Sequence, residues 1–198
     1  MSRRTRWATI PVGQMPPQEA VEKELAERYL VHFIKQAWPI IEPGTPYKHG
    51  WHIDAICDHL EAVTNGDIKR LLINIPPRHM KSILVSVMWP VWEWVQMPHL
   101  RYVYSSYAYA LSTRDSVKSR RLIQSQWYQR RWGDKFAILG DQNEKVRYEN
   151  DKHGFRLATS VTGLGTGEGG DRIVVDDPHN VREAESDVQR SGVLMWWD

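Results

Sequence analysis

Cysteine occurs once in the 198 residues, as Cys57. That excludes an intrachain disulfide framework and a multi-cysteine zinc site, and it fits a reducing, intracellular setting. No apolar run approaches the roughly 18 residues needed to cross a membrane. The basic N-terminus, "MSRRTRWATIPVG", lacks the apolar segment of a secretory signal. Charge of one sign is not in excess, since the formal net charge is +2. Any nucleic-acid contact must therefore come from local patches. There is no G-x-S-x-G nucleophile elbow. His52 and His59 lie near Cys57, but no third ligand follows at zinc spacing. Internal repeats and low-complexity blocks are absent as well.

What is present suits an α/β domain: 41% apolar and 25% charged residues, with enough chain for a core. Residues 1–16 read as a loose arm. A helix is expected from Pro17, with Val21, Leu25, Tyr29 and Phe33 recurring every four residues and Leu30 and Ile34 widening the stripe. Pro39, Pro43, Gly44 and Pro46 should break it. A second helix is expected over 51–64. "IKRLLINI" (68–75) predicts a buried strand, and a helix from Lys81 to about Val95 should kink at Pro90. "RYVYSS" (101–106) predicts a strand followed by a helix over 109–127. "KVRYEN" and "GFRLATS" predict a β-hairpin. A glycine-rich loop (162–171) leads to the strand "RIVVDD" (172–177), and a last helix starts near Val181. Strand–helix alternation argues for a mainly parallel sheet covered by helices on both faces.

The stretch "LLINIPPRHMKSILVSVMW" (71–89) is short of glycine where it matters. A phosphate cradle needs converging backbone N–H groups, a helix N-terminus and a cation. The usual pattern has glycine six residues and one residue before Lys-Ser; Ile75 and Met80 stand there instead. Lys81-Ser82 alone is compatible with an ordinary strand-to-helix corner. "RIVVDDP" adds two adjacent carboxylates at a strand's carboxyl end, the edge where open α/β sheets bind ligands. An Asp-Asp-Pro turn would also explain it. "PYKHGWHIDAICDHL" (46–60) offers Tyr47, Trp51 and His52 as an aromatic platform for a base, or simply the opening of an amphipathic helix.

Together, "RLLINIPPRHMKS" (70–82), "SVTGLGTGEGGDRIVVDDPHN" (160–180) and "EAESDVQR" (183–190), with "YSSYAYALSTRDSVKSRRLI" (104–123) in agreement, resemble the ATPase domain of tailed-phage terminase large subunits. The resemblance runs from about His49 to the end. It implies a P-loop NTPase fold of the RecA/ASCE type over 46–198, with an N-terminal arm and helix over 1–45. It implies ATP and Mg²⁺ as cofactors. Lys81 would contact the β- and γ-phosphates within a loop of Pro77, Arg78, His79 and Met80. Ser82 and Asp176 would hold Mg²⁺, and Trp51 and His52 would flank the nucleotide. Arg78 would act in cis at the γ-phosphate. Asp177 takes the place of the catalytic carboxylate, where the family more often has the longer Glu.

The family's trans-acting arginine has Thr166 at its expected place, with Arg156 and Arg172 as nearby substitutes. Arg114, Lys118, Arg120 and Arg121 form a basic helix segment that could face DNA phosphates or solvent. The implied partners are double-stranded DNA, a homo-oligomeric (pentameric) ring on the capsid portal and the terminase small subunit. The implied location is the host cytoplasm, with no membrane. The family's coupling motif and its RNase H-like nuclease domain are expected outside these 198 residues. Two other readings stay open: a helicase-like P-loop translocase, and a non-catalytic DNA- or capsid-binding module on a nucleotide fold.

Overall fold

The structure is a computed structural model that describes residues 17–161, 163, 168–180 and 183–197. The arm over 1–16 and Thr166 lie outside the described residues. The chain folds as α/β: helices α1 (Gln18–Arg28), α2 (Leu30–Ile41), α3 (Trp51–Thr64), α4 (Trp89–Gln96), α5 (Tyr109–Gln124), α6 (Gln126–Trp132) and α7 (Asp187–Trp197). Strands β1 (Tyr102–Ser106), β2 (Ile138–Asn143), β3 (Arg147–Asn150), β4 (Phe155–Ser160) and β5 (Arg172–Asp176) form one open sheet in the order β2-β3-β4-β1-β5.

The expected helix from Pro17 is two helices. Tyr29 takes extended angles, φ −128° and ψ 121°, and the chain turns there. The turn puts Leu30, Phe33, Ile34 and Ala37 on one buried stripe while Tyr29 stays 38% exposed. The Glu61 carboxylate of α3 accepts from the Leu30 amide at 2.6 Å, so another helix caps α2. Burial pushes the Glu61 carboxyl upward despite that amide. Pro39 does not end α2, which runs on to Ile41. Residues of α1 and α2 share one buried cluster with α3, α4, α6 and β1, so these N-terminal helices are part of the core.

The helix after Lys81 begins as a π-helical segment, Ile83–Met88, before α4. Pro90 explains it. Its ring would strike the Ser86 carbonyl in regular α register and it donates no N–H. The wider register, with the Trp89 N–H on the Leu84 carbonyl, relieves this.

The sheet is mixed. β4, β1 and β5 run parallel, and β2 and β3 are antiparallel to their neighbours. The 145–160 hairpin forms as β3–β4, and β2, absent from the sequence expectation, extends it. Gly154 closes the turn because a Cβ there would lie 2.0 Å from the Pro98 carbonyl oxygen. The predicted 68–75 strand does not join the ladder. It alternates instead: Leu71, Ile73 and Ile75 pack on the core, while Leu72 is 83% exposed. An apolar run therefore marks a one-sided extended segment rather than a buried strand.

Aromatic side chains dominate the core. Trp94 meets Tyr102, Phe136 and Tyr148 at 6.0, 5.3 and 5.7 Å between ring centroids. Phe33, Trp127, Tyr128 and Trp132 form a second group. Such pairs add about 0.5–1.5 kcal/mol each beyond area burial. Their polar tips are partnered: the indole N–H groups of Trp92 and Trp94 donate to the carbonyls of Ala26 and Leu100, both at 2.9 Å. Tyr102, Tyr104 and Tyr148 share one sheet face by register. They bond to Glu93, the Val85 carbonyl and Ser119 of the helical layer. On the other face Val103 and Phe155 are buried, and Ile173 of the edge strand β5 is 56% exposed. No helix among the described residues is long and apolar enough to cross a membrane.

Candidate active site

β1 has β4 on one side and β5 on the other, all parallel. The chain's connections diverge at β1, and the crevice outside its carboxyl end is the expected ligand edge of an open α/β sheet. Ser106, Ser160 and Asp176 end the three strands in register there.

The loop 76–82 delivers Lys81 to that edge. Its ammonium lies 3.1 Å from Asp176 and also bonds to the Asp177 carboxylate. Burial draws the Lys81 pKa down, and the bonds and charges of Asp177 and Asp176 outweigh it, leaving a net rise. The Ser86 hydroxyl, from the π-helical segment, reaches the second oxygen of Asp176 at 3.5 Å, the outer limit for such a bond.

The absent glycines leave a backbone trace. Arg78 and Met80 sit at φ 66° and 69°, the left-handed region glycine favours. Met80 occupies the very position where the usual pattern has glycine. Its side chain packs on the core, which offsets part of the strain. Asp177 also has positive φ, 49°, which Asp tolerates better than most residues. The Tyr107 amide donates to its carbonyl at 3.0 Å and helps hold that turn.

His79 sits within hydrogen-bond distance of the carbonyls of Pro76 and Pro77, at 3.1 and 3.0 Å, so its ring braces the loop. His52 meets His79 at 5.5 Å and Trp51 at 6.3 Å between ring centroids. Trp51 is 81% exposed. An open aromatic surface therefore borders the loop.

A hollow of about 200 Å³ opens beside the carboxylates, and Ser82, Ser86, Tyr104, Arg156, Asp176 and Asp177 are among its walls. A larger one, about 440 Å³, lies where α1 meets α4, lined by Glu27, Arg28 and Gln96 among others. It shares no wall with the carboxyl ends of β1, β4 and β5, and none of its lining side chains is a buried unpartnered group.

The basic segment of α5 is largely paired. Arg114 forks onto Asp115 at 2.8 and 3.2 Å, and Lys118 pairs with Glu42 of the loop after α2. Arg121 is exposed and Arg120 half-buried. Neither suggested substitute for a trans arginine stands ready at the surface. Arg172 is bound to Glu93 at 2.9 Å at the opposite end of β5. Arg156 is 1% exposed.

Sequence reasoning had not singled out Ser86, the Arg114–Asp115 pair or the role of Arg156 in the hollow. The consecutive serines ending "YVYSS" were the available signal, since small polar residues at a strand's carboxyl end leave room for a ligand. Among the described residues, no three His, Cys, Asp or Glu side chains cluster as a metal site. Ser82 and Asp176, both on the hollow, offer hard oxygens of the kind Mg²⁺ takes. Mg²⁺ commonly takes only one or two protein ligands, with phosphate and water completing its shell. No protein-family model matches the chain, and no curated protein matches it.

Proposed function

We propose that this chain is the ATPase motor domain of a viral terminase large subunit, a RecA/ASCE-like P-loop NTPase that hydrolyses ATP to drive double-stranded DNA into a capsid. One observation carries the nucleotide part. The lysine of a glycine-poor loop and the carboxylate pair ending β5, 96 residues apart from Lys81 to Asp177, meet at a single point beside a hollow. The motor assignment rests on the terminase-like motifs.

Lys81 binds the β- and γ-phosphates, exchanging its carboxylate partners for phosphate oxygens. The left-handed backbone at Arg78 and Met80 turns the loop so that its amides can face an anion. Arg78 neutralises charge at the γ-phosphate. Pro77 and His79 fix the loop, and Trp51 and His52 provide the face for the base. Ser82 and Asp176 hold Mg²⁺, which when bound neutralises phosphate charge. Asp177, 60% exposed at its side chain, accepts the proton of the attacking water. The proposed partners are DNA, a homo-oligomeric ring on the portal and the small subunit, with the host cytoplasm as the setting.

The test is nucleotide binding followed by fluorescence or calorimetry, with and without Mg²⁺. ATP should bind, and Lys81→Ala should abolish binding while the fold, checked by circular dichroism, persists. Unaltered affinity in that variant would remove Lys81 from the site. Absence of any Mg²⁺-dependent binding would leave the non-catalytic module as the better reading.

A further inference from the structure

The hollow extends from Asp176 beneath Tyr104 to Arg156. Arg156 is 1% exposed, and its Nε, Nη1 and Nη2 atoms have no hydrogen-bond partner. Its guanidinium lies 3.9 Å from the Tyr104 ring centroid. Stacking covers the face of the guanidinium and leaves its N–H edges available. Arginine cannot shed its proton in a protein, so it remains a buried cation.

The acids around this hollow have other cations as their direct partners. Arg114 holds Asp115, and Lys81 holds Asp176 and Asp177. With Lys81 shared between two carboxylates, Arg156 balances the charge of the walls but joins none of their ion pairs, and no hydrogen bond fixes its guanidinium. Buried charges are normally paired, because removal from water is expensive. The hollow, at about 200 Å³, has several times the ≈30 Å³ share of one water molecule, enough for a tetrahedral oxyanion.

We infer that this hollow is a phosphate-class oxyanion subsite, separate from the Lys81 contact, in which the Arg156 guanidinium holds one tetrahedral anion by its N–H edge. Binding of the anion requires nothing of the nucleotide assignment. Its role does rest on that assignment: inorganic phosphate released at Asp176 moves into this hollow before it leaves.

The probe is inorganic phosphate alone, titrated without nucleotide or Mg²⁺ and followed by calorimetry and by backbone amide NMR shifts. In the wild-type chain, shifts should appear at Ser105, Ser106 and residues 156–160. Arg156→Gln should weaken phosphate binding roughly tenfold or more, the scale of a lost charge-assisted hydrogen bond. Lys69→Gln, which removes an exposed cation outside the hollow, should leave it within about threefold, well under that scale. Absence of phosphate binding, or undiminished binding in Arg156→Gln, overturns the subsite. Should Arg156→Gln fail to fold, the wild-type shift map decides: shifts confined to 77–82 overturn it. The nucleotide proposal fails separately, by ATP failing to bind while phosphate still binds.

Discussion

The two ends of β5 carry charged groups of opposite character. At the amino end, Arg172 and Tyr102 both bond to Glu93, at 2.9 and 2.6 Å, and the Glu93 side chain is fully buried. Burial, with Glu93 adding to it, pushes the Tyr102 hydroxyl's pKa well up, so it stays a donor. At the carboxyl end, Lys81 is shared between two carboxylates, one of them exposed, beside three left-handed non-glycine residues and a buried arginine without a partner. One end satisfies its charges with its own chain and holds the sheet to α4. The other leaves the N–H groups of Arg156 unpartnered and carries left-handed backbone at Arg78, Met80 and Asp177.

Breaking each end should separate these roles. Asp177→Asn should lower steady-state ATP turnover by roughly 10²–10⁴-fold, the scale of a lost general base, while ATP affinity and thermal midpoint change little. Unchanged turnover would remove Asp177 from the chemistry. At the other end, Glu93→Ala should cost about 3–5 kcal/mol in urea unfolding, because it strands Arg172 and the Tyr102 hydroxyl at a buried pair. Nucleotide affinity of the folded fraction should not move. Loss of affinity there would mean that the two ends are coupled through β5.

The smallest effect concerns the loop. Met80→Ala and Met80→Gly both lose the side chain's packing, but only glycine relieves φ 69°. The glycine variant should be the more stable of the two by about 1 kcal/mol in thermal unfolding. The reverse order would mean that the left-handed turn is not held in solution.

Much of this was legible in the sequence. The β1 and β5 strands, α3 and the β3–β4 hairpin follow from apolar runs and turn residues, while the meeting of Lys81 with Asp176 and Asp177 is what the terminase resemblance implied. The misses have physical causes. The 68–75 run has strand composition, but strand character needs a hydrogen-bonded neighbour, which composition does not supply. The stripe through Tyr29 is equally periodic whether or not the chain turns there; an acceptor from Glu61, 31 positions away from Leu30, decides the turn. The α5 cations read as a free basic face until Glu42 and Asp115 take two of them.

The sequence by itself determined the α/β class, the strand end that carries the aspartate pair, and the exclusion of an intrachain disulfide framework and a multi-cysteine zinc site. These depend on residue type and near spacing. Only the tertiary structure decided which arginines have partners, that Met80 bears a glycine-like turn, and that a hollow joins Asp176 to Arg156. Partnering and enclosed space arise from groups far apart in the chain, and no local pattern encodes a distance between them.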